Sequence, residues 1–417
     1  MNVFERYFQR NEVRHRLELP SDTGLIVVIP VLEDPDIFDT IDSLCQCVLP
    51  AVSVGVVIVV NNAENKDSRE NRLLAARIKE ITGKKNRFAE QGVITPCLKF
   101  EVLEEYALPV KYAGVGLARK IGMDAAARYF YNYQRENGVI VSLDADTLVD
   151  TNYFTALLTY FQSHPVAGVS VAYAHLLSNC DTSVKQAIVC YELYLRYYKS
   201  ALEYTGHPYA FHCIGSAFAV RVSDYVAQGG MNRKQAGEDF YFLQKLMSTG
   251  RYADLVTTHV YPSPRISERT PFGTGRAVRQ IIADDGTYET YDFEAFLVLK
   301  MFFTGIDELY KSDELHCKAY WKKQPECLCA FLPEREFAGM IREVSNNSAS
   351  HTQFRKRFFD TFNAFRVLKY LNFVHEGYFK RADVNENVAK LLKQKGIIEE
   401  GTSMQKLEAL RRLQEIP

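Results

Sequence analysis

Between Gly24 and Val260, short apolar runs alternate with stretches whose apolar residues recur at helical spacing. Leu25–Val31 (LIVVIPV) and Val54–Val60 (VGVVIVV) have the length and β-branched content of buried strands. Leu98–Leu103, Gly138–Leu143, Gly168–Ala174 and Ala253–Val260 predict further strands. Helical spacing predicts helices over Ile37–Cys47, Asp67–Ile81, Gly116–Tyr133, Asp181–Glu203 and Gly237–Met247. Val/Ile-rich strands alternating with helices imply an α/β domain, its sheet mostly parallel and covered on both faces. Ligands of such sheets bind beyond the carboxyl ends of the strands. That rim gathers Pro30–Asp34, Asn61–Asn62 and Asp144–Asp146.

The pattern changes further on. Pro262–Ala277 (PSPRISERTPFGTGRA) is too rich in Pro, Gly and Ser for regular structure and carries Arg265, Arg269 and Arg276. Beyond Asp284-Asp285-Gly286 the chain reads as helical to its end. This predicts a domain over residues 1–285 and a mainly α-helical region over 286–417. Within the latter, Phe354–Phe373 mixes basic residues with aromatics. A helix packed on its own domain is the favoured reading, and peripheral membrane contact is the alternative.

Composition narrows the classes. Of 417 residues, 47% are hydrophobic and 24% charged, which is globular rather than disordered. The formal net charge of -1 gives no global field for nucleic acid, so an anion site must be built locally. The nine cysteines are odd in number, and the charged opening MNVFERYFQRNEVRHRLELP is no secretion signal. Reduced thiols in a cytoplasmic protein are expected, the membrane's inner face being the alternative place. Cys45-Gln46-Cys47 and Cys327-Leu328-Cys329 lack zinc-site spacing and read as core cysteines. Ser43–Ala63 carries no charge, but Pro50 and Asn61-Asn62 interrupt it, so a helix end, a turn and a strand fit better than a membrane span.

Chemistry concentrates on the predicted rim. Asp144 and Asp146, one residue apart at a strand exit, repel each other unless a cation lies between them. Hard oxygen ligands suit Mg²⁺ or Mn²⁺, which carry phosphate oxygens on their other positions. Asp150-Thr151-Asn152 supplies the cap of the following helix, so the pair is not needed for that. Gly237-Glu238-Asp239 opens a helix, where acids complement the dipole or serve as a general base. His259 ends a strand and is either structural or a metal ligand. Arginines of the Pro262–Ala277 loop suit phosphate.

Taken together these segments resemble the family 2 glycosyltransferases. VVIVVNN (Val56–Asn62), GVGLARKIGMDAA (Gly114–Ala126), LDAD (Leu143–Asp146), IGSAFAVR (Ile214–Arg221) and GED (Gly237–Asp239) follow that family's order over roughly the first two-thirds of the chain. Asn61-Asn62 stand where many relatives have acids, and the Gln-x-x-Arg-Trp motif of processive members is absent. The resemblance implies a GT-A fold, a mixed sheet flanked by helices. It implies a metal-dependent inverting transfer of a sugar from a UDP- or GDP-sugar to an acceptor hydroxyl, in cell-surface polysaccharide or glycoconjugate synthesis.

It further implies Asp239 as base, with Glu238 beside it or on the acceptor. Asp146, Asp144 and His259 are the implied metal ligands. Pro30, Asn61, Asn62, Arg119, Asp144 and Arg276 are the implied donor contacts. The alternatives are a haloacid-dehalogenase-type phosphatase using Asp144 and Asp146, a sugar-nucleotide pyrophosphorylase, and a non-catalytic nucleotide-sugar-binding protein. Leu148 and the strands preceding Asp144 disfavour the phosphatase. The pyrophosphorylases' Gly-rich loop is missing after Pro30.

Overall fold

The computed structural model describes residues 2–86, 97–178, 180–233, 237–266, 273–397 and 401–415. Arg269 lies outside them. The chain divides into two compact units, one of residues 1–179 and 213–276, the other of residues 180–212 and 277–416. This differs from the linear division at residue 285. The helix Thr182–Tyr204, though early in the chain, buries its apolar face among C-terminal helices.

In the first unit, helix α1 (Val3–Arg10) precedes strand β1 (Leu25–Val31), helix α2 (Ile37–Gln46) and strand β2 (Val54–Ala63). Helix α3 (Arg69–Lys85), strand β3 (Leu98–Leu108), helix α4 (Val115–Asn132) and strand β4 (Val139–Ser142) follow. Next come strand β5 (Thr147–Val149), helix α5 (Tyr153–Ser163) and strand β6 (Gly168–Tyr173). The second unit's helix, Thr182–Tyr204, is α6. Strand β7 (Phe218–Arg221), helices α7 (Val222–Ala227) and α8 (Glu238–Met247) and strand β8 (Tyr252–Pro262) complete the sheet. Helix α9 (Thr274–Ala283) starts inside the stretch expected to be irregular.

The strand order is β3-β2-β1-β4-β7-β6-β8-β5. Strands β3, β2, β1 and β4 are parallel, β7 runs antiparallel to both β4 and β6, and β5 runs antiparallel to β8. The sheet is therefore mixed and flanked by helices, as expected. Every residue of β1 is buried, which its unbroken apolar run requires. Pro30 is tolerated there because β4 has already ended. Val28 accepts from Leu143 at 3.1 Å on that side, so Pro30, two residues on, turns its missing N–H where no ladder partner remains. Helix α4 lies on β1 and β2 through Gly122, where a Cβ would collide with Val28 and come 3.0 Å from Val59. The glycine of the Ala-Arg-x-x-Gly segment is thus a packing requirement.

In the second unit, helix α6 is joined by α10 (Phe293–Thr304), α11 (Glu314–Lys322), α12 (Glu326–Phe331) and α13 (Glu334–Asn346). Helices α14 (His351–Thr361), α15 (Ala364–Gly377), α16 (Val384–Gln394) and α17 (Ser403–Gln414) follow, and strands β9 (Glu289–Thr290) and β10 (Ala382–Asp383) make a short antiparallel pair. The Phe354–Phe373 stretch is two helices, and Phe354, Phe358, Phe359 and Phe362 are fully buried. The rings of Phe358, Phe359 and Phe362 meet Phe302 and Phe303 in edge and tilted contacts, and Phe354 meets Tyr310, so packing rather than a membrane claims this face. No described helix is long and apolar enough to cross a membrane, and Ser43–Ala63 contains the end of α2 and strand β2. All nine cysteines are free thiols.

Candidate functional site

The site grows from the turn after β4. Strand β4 ends at Ser142, whose hydroxyl donates to the Gly215 carbonyl at 2.6 Å. Leu143 to Asp146 then leave the sheet, and β5 begins at Thr147. Helix α2 pins this turn from one side, with the Thr40 hydroxyl donating to the Ala145 carbonyl at 2.9 Å. The segment after β8 pins it from the other, with Ser263 N–H donating to the Asp146 carbonyl at 3.1 Å. Asp144 and Asp146 are thus fixed by backbone on both sides.

Arg119 of α4 is the centre of the first cluster. Its side chain is 2% exposed. One terminal nitrogen donates to Asp144 Oδ1 at 2.6 Å and the other donates to Glu238. Asp239 lies against the same guanidinium and Gly215. A Cβ on Gly215 would stand 2.9 Å from Arg119 Nη2 and 3.2 Å from Asp239 Oδ2. Glu238 and Asp239 open α8 behind Gly237, whose φ of 72° is a left-handed conformation that favours glycine. Asp239 Oδ1 accepts from Phe240 N–H at 2.7 Å. Burial raises the Asp239 carboxyl, and Arg119 opposes it. The same two influences act on Glu238, which is held by Arg119. Arg119, an expected donor contact, lies between the two acidic motifs.

Arg265 is the centre of the second cluster. It donates to Asp34 and, at 2.6 Å, to Asp36, and its Nη2 lies 3.1 Å from Asp146 Oδ2. Asp34 is 6% exposed. Burial raises the Asp146 carboxyl to about 7; Asp144 adds to this, Arg265 counters it, and Asp34 and Asp36 raise it further. The expected rim already placed Asp34 with the aspartate pair; Asp36 was not part of it, and Arg265 stood out only as one of three loop arginines. The usable signal was the rim itself, since β1 and β4 are parallel neighbours and their exits must adjoin.

The remaining candidates sit as follows. Pro30, Asn61 and Asn62 are buried at the ends of β1 and β2. Asn61 donates to the Val31 carbonyl at 2.8 Å, and Asn62 to the Lys66 carbonyl at 2.9 Å, so both amides shape the loops of the rim. His259 is brought to Asp150 and not to Asp146. Its backbone N–H donates to Asp150 Oδ2 at 2.8 Å, its Nδ1 lies 3.3 Å from the same oxygen, and Tyr261 donates to Asp150 Oδ1 at 2.8 Å. The antiparallel ladder explains this, because Thr147 faces Pro262 and Val149 faces Val260. Asp150 follows β5 at the end away from Asp146. Asp150 therefore anchors β8; the N-cap of α5 is Asn152, with no side-chain cap bond. Arg276 lies exposed in the first turn of α9.

A divalent cation fits the donor set. Asp144 and Asp146 offer hard oxygens, and with Asp34, Asp36, Glu238 and Asp239 the carboxylates outnumber the guanidiniums of Arg119 and Arg265. Among the described residues no group of three or more His, Cys, Asp or Glu side chains forms a ready cage. A site that leaves positions for phosphate oxygens needs none.

Residues 139–283 match the family model described as Glycosyl transferase family group 2. This segment holds Asp144, Asp146, Glu238, Asp239, His259 and Arg276. No curated protein matches the chain. Among solved structures, S. aureus TarS residues 1–349 in complex with UDP-GlcNAc is 14% identical, over 81% of this chain and 91% of that one, with a TM-score of 0.40. The mannosyltransferase PcManGT from Pyrobaculum calidifontis, in complex with GDP-Man and Mn²⁺, is 13% identical, over 99% and 92%, with a TM-score of 0.36.

Proposed function

We propose, from a glycosyltransferase family 2 segment at residues 139–283, that this chain is a metal-dependent inverting glycosyltransferase. It transfers a sugar from a UDP- or GDP-sugar to an acceptor hydroxyl. The observation that carries the reading is the Arg119 guanidinium, which joins Asp144 of one acidic motif to Glu238 of the other and leaves Asp239 beside them.

The acceptor oxygen forms a bond to the anomeric carbon while the bond from that carbon to the diphosphate oxygen breaks. Asp239 takes the acceptor's proton, and the electron pair of the broken bond leaves with the nucleoside diphosphate. Attack opposite the leaving group inverts the anomeric centre. Burial suits Asp239 to this work, because a base with a raised pKa takes a proton more readily. Glu238 is engaged by Arg119 and positions its neighbour. Asp146 and Asp144 would hold Mn²⁺ or Mg²⁺, which when bound supplies positive charge for the departing diphosphate.

Arg276 is assigned to the donor side, and His259 to holding β8 through Asp150 rather than to the metal. The resemblance supports cell-surface polysaccharide or glycoconjugate synthesis as the setting, with the protein in the cytoplasm. The test is whether Asp239→Asn removes transfer while donor-nucleotide binding persists.

A further inference from the structure

Arg265 holds acids from two segments at once, Asp34 and Asp36 from the β1–α2 loop and Asp146 from the turn after β4. Its Nε is buried without a hydrogen-bond partner, so these carboxylates take up its terminal nitrogens only. The guanidinium therefore sits on the carboxylate assigned above to a divalent cation. Two cations on one carboxylate repel each other, and a partly buried setting screens that repulsion poorly. A diphosphate changes the balance, because its oxygens match the guanidinium fork as well as carboxylates do.

We infer that Arg265 is the resident counter-ion of Asp146, displaced when a divalent cation and a nucleoside diphosphate enter together. The inference rests on the function proposed above and deepens it. Without nucleotide, Arg265 keeps the cation out. With nucleotide, Arg265 exchanges its carboxylates for phosphate oxygens and the cation takes Asp146. Metal and donor then bind as one unit, and Asp146 keeps a cationic partner throughout.

The experiment is titration of the full chain with Mn²⁺, followed by electron paramagnetic resonance of the free ion, with and without saturating UDP or GDP. In the wild type, nucleotide should tighten Mn²⁺ binding at least tenfold. Arg265→Gln should tighten nucleotide-free Mn²⁺ binding at least tenfold and shrink the nucleotide's effect. Arg265→Lys, which keeps the charge, should stay within about threefold of wild type, and Arg265→Met gives a second neutral form should the Gln variant not fold. Unchanged nucleotide-free binding in both neutral variants, with binding still abolished by Asp146→Ala, overturns the inference and leaves the metal site standing. Mn²⁺ binding that is absent even with saturating nucleotide, or indifferent to Asp146→Ala, removes the metal site and the inference with it.

Discussion

Arg119 shows how a single buried residue can organise two acidic motifs. It is 2% exposed and Glu238 3%, so their charges survive in the interior only as a pair. Removing one partner of such a pair costs about 3–5 kcal/mol, because the other charge is left uncompensated. Arg119→Met should therefore lower stability by about that much in urea unfolding, and Arg119→Met with Glu238→Gln should recover part of the loss. A single variant as stable as the wild type would show that the pair is not closed in solution. Residue types on the rim were legible in the sequence: Asp144, Asp146, Glu238, Asp239 and Arg119 all stood out. Their partners were not. Spacing does not say that Arg119 turns to Asp144 and Glu238, that Arg265 reaches Asp34, or that His259 belongs to Asp150, since such contacts are set by sheet register.

Elements were legible where periodicity and burial agree. Strand β1 and the starts of β2 and β3 coincide with the expected runs, and α2, α4 and α8 differ from expectation by a residue or so at their ends. Strand β5 was missed because three residues beside an acidic turn carry no period. Helix α9 was missed altogether, because Thr274-Gly275 reads as loop and the expected helical region began only beyond Gly286. The break between α14 and α15 at Phe362 lies in an aromatic stretch without Pro or Gly to announce it. Gly122 belongs to this scale, since it sets how closely α4 approaches β1. An exposed Gly→Ala change inside a helix gains about 1 kcal/mol. Here the added Cβ meets the fully buried Val28, so overpacking should win. Gly122→Ala should lose about 1–3 kcal/mol, seen as a lower urea midpoint at unchanged slope. A gain in stability would mean that α4 can move off the sheet at little cost.

At the scale of the molecule, apolar periodicity marked helices after residue 286 but not that α6 belongs with them, because membership of a core depends on which faces meet. The second unit carries its own pH response. His207 is buried, with Nε2 donating to the Phe362 carbonyl at 3.0 Å and Nδ1 accepting from Tyr209 N–H at 3.2 Å. Both ring nitrogens are thus satisfied in the neutral form, and burial lowers its pKa to about 4. The unfolded chain takes up this proton below about pH 6.5 while the folded one does not, so stability is full above that pH and falls down to about pH 4, by at most about 3 kcal/mol. Burial and the nearby Lys199 and Arg196 push His212 the same way. Fluorescence of Trp321, the single tryptophan, reports this unit, and His207→Gln should flatten its urea midpoint between pH 7 and 5. A wild-type midpoint that does not fall over that range contradicts the assignment.

In the first unit, Asp239 is proposed as the base, and the nearby aspartates as the residues that hold the donor. One preparation of Asp239→Asn, assayed for sugar transfer and for calorimetric binding of UDP or GDP in Mn²⁺, tests this most directly. Transfer should fall by about 10²–10⁴-fold, with nucleotide affinity within about threefold of wild type. Equal loss of transfer and binding, or transfer that survives, would contradict the account.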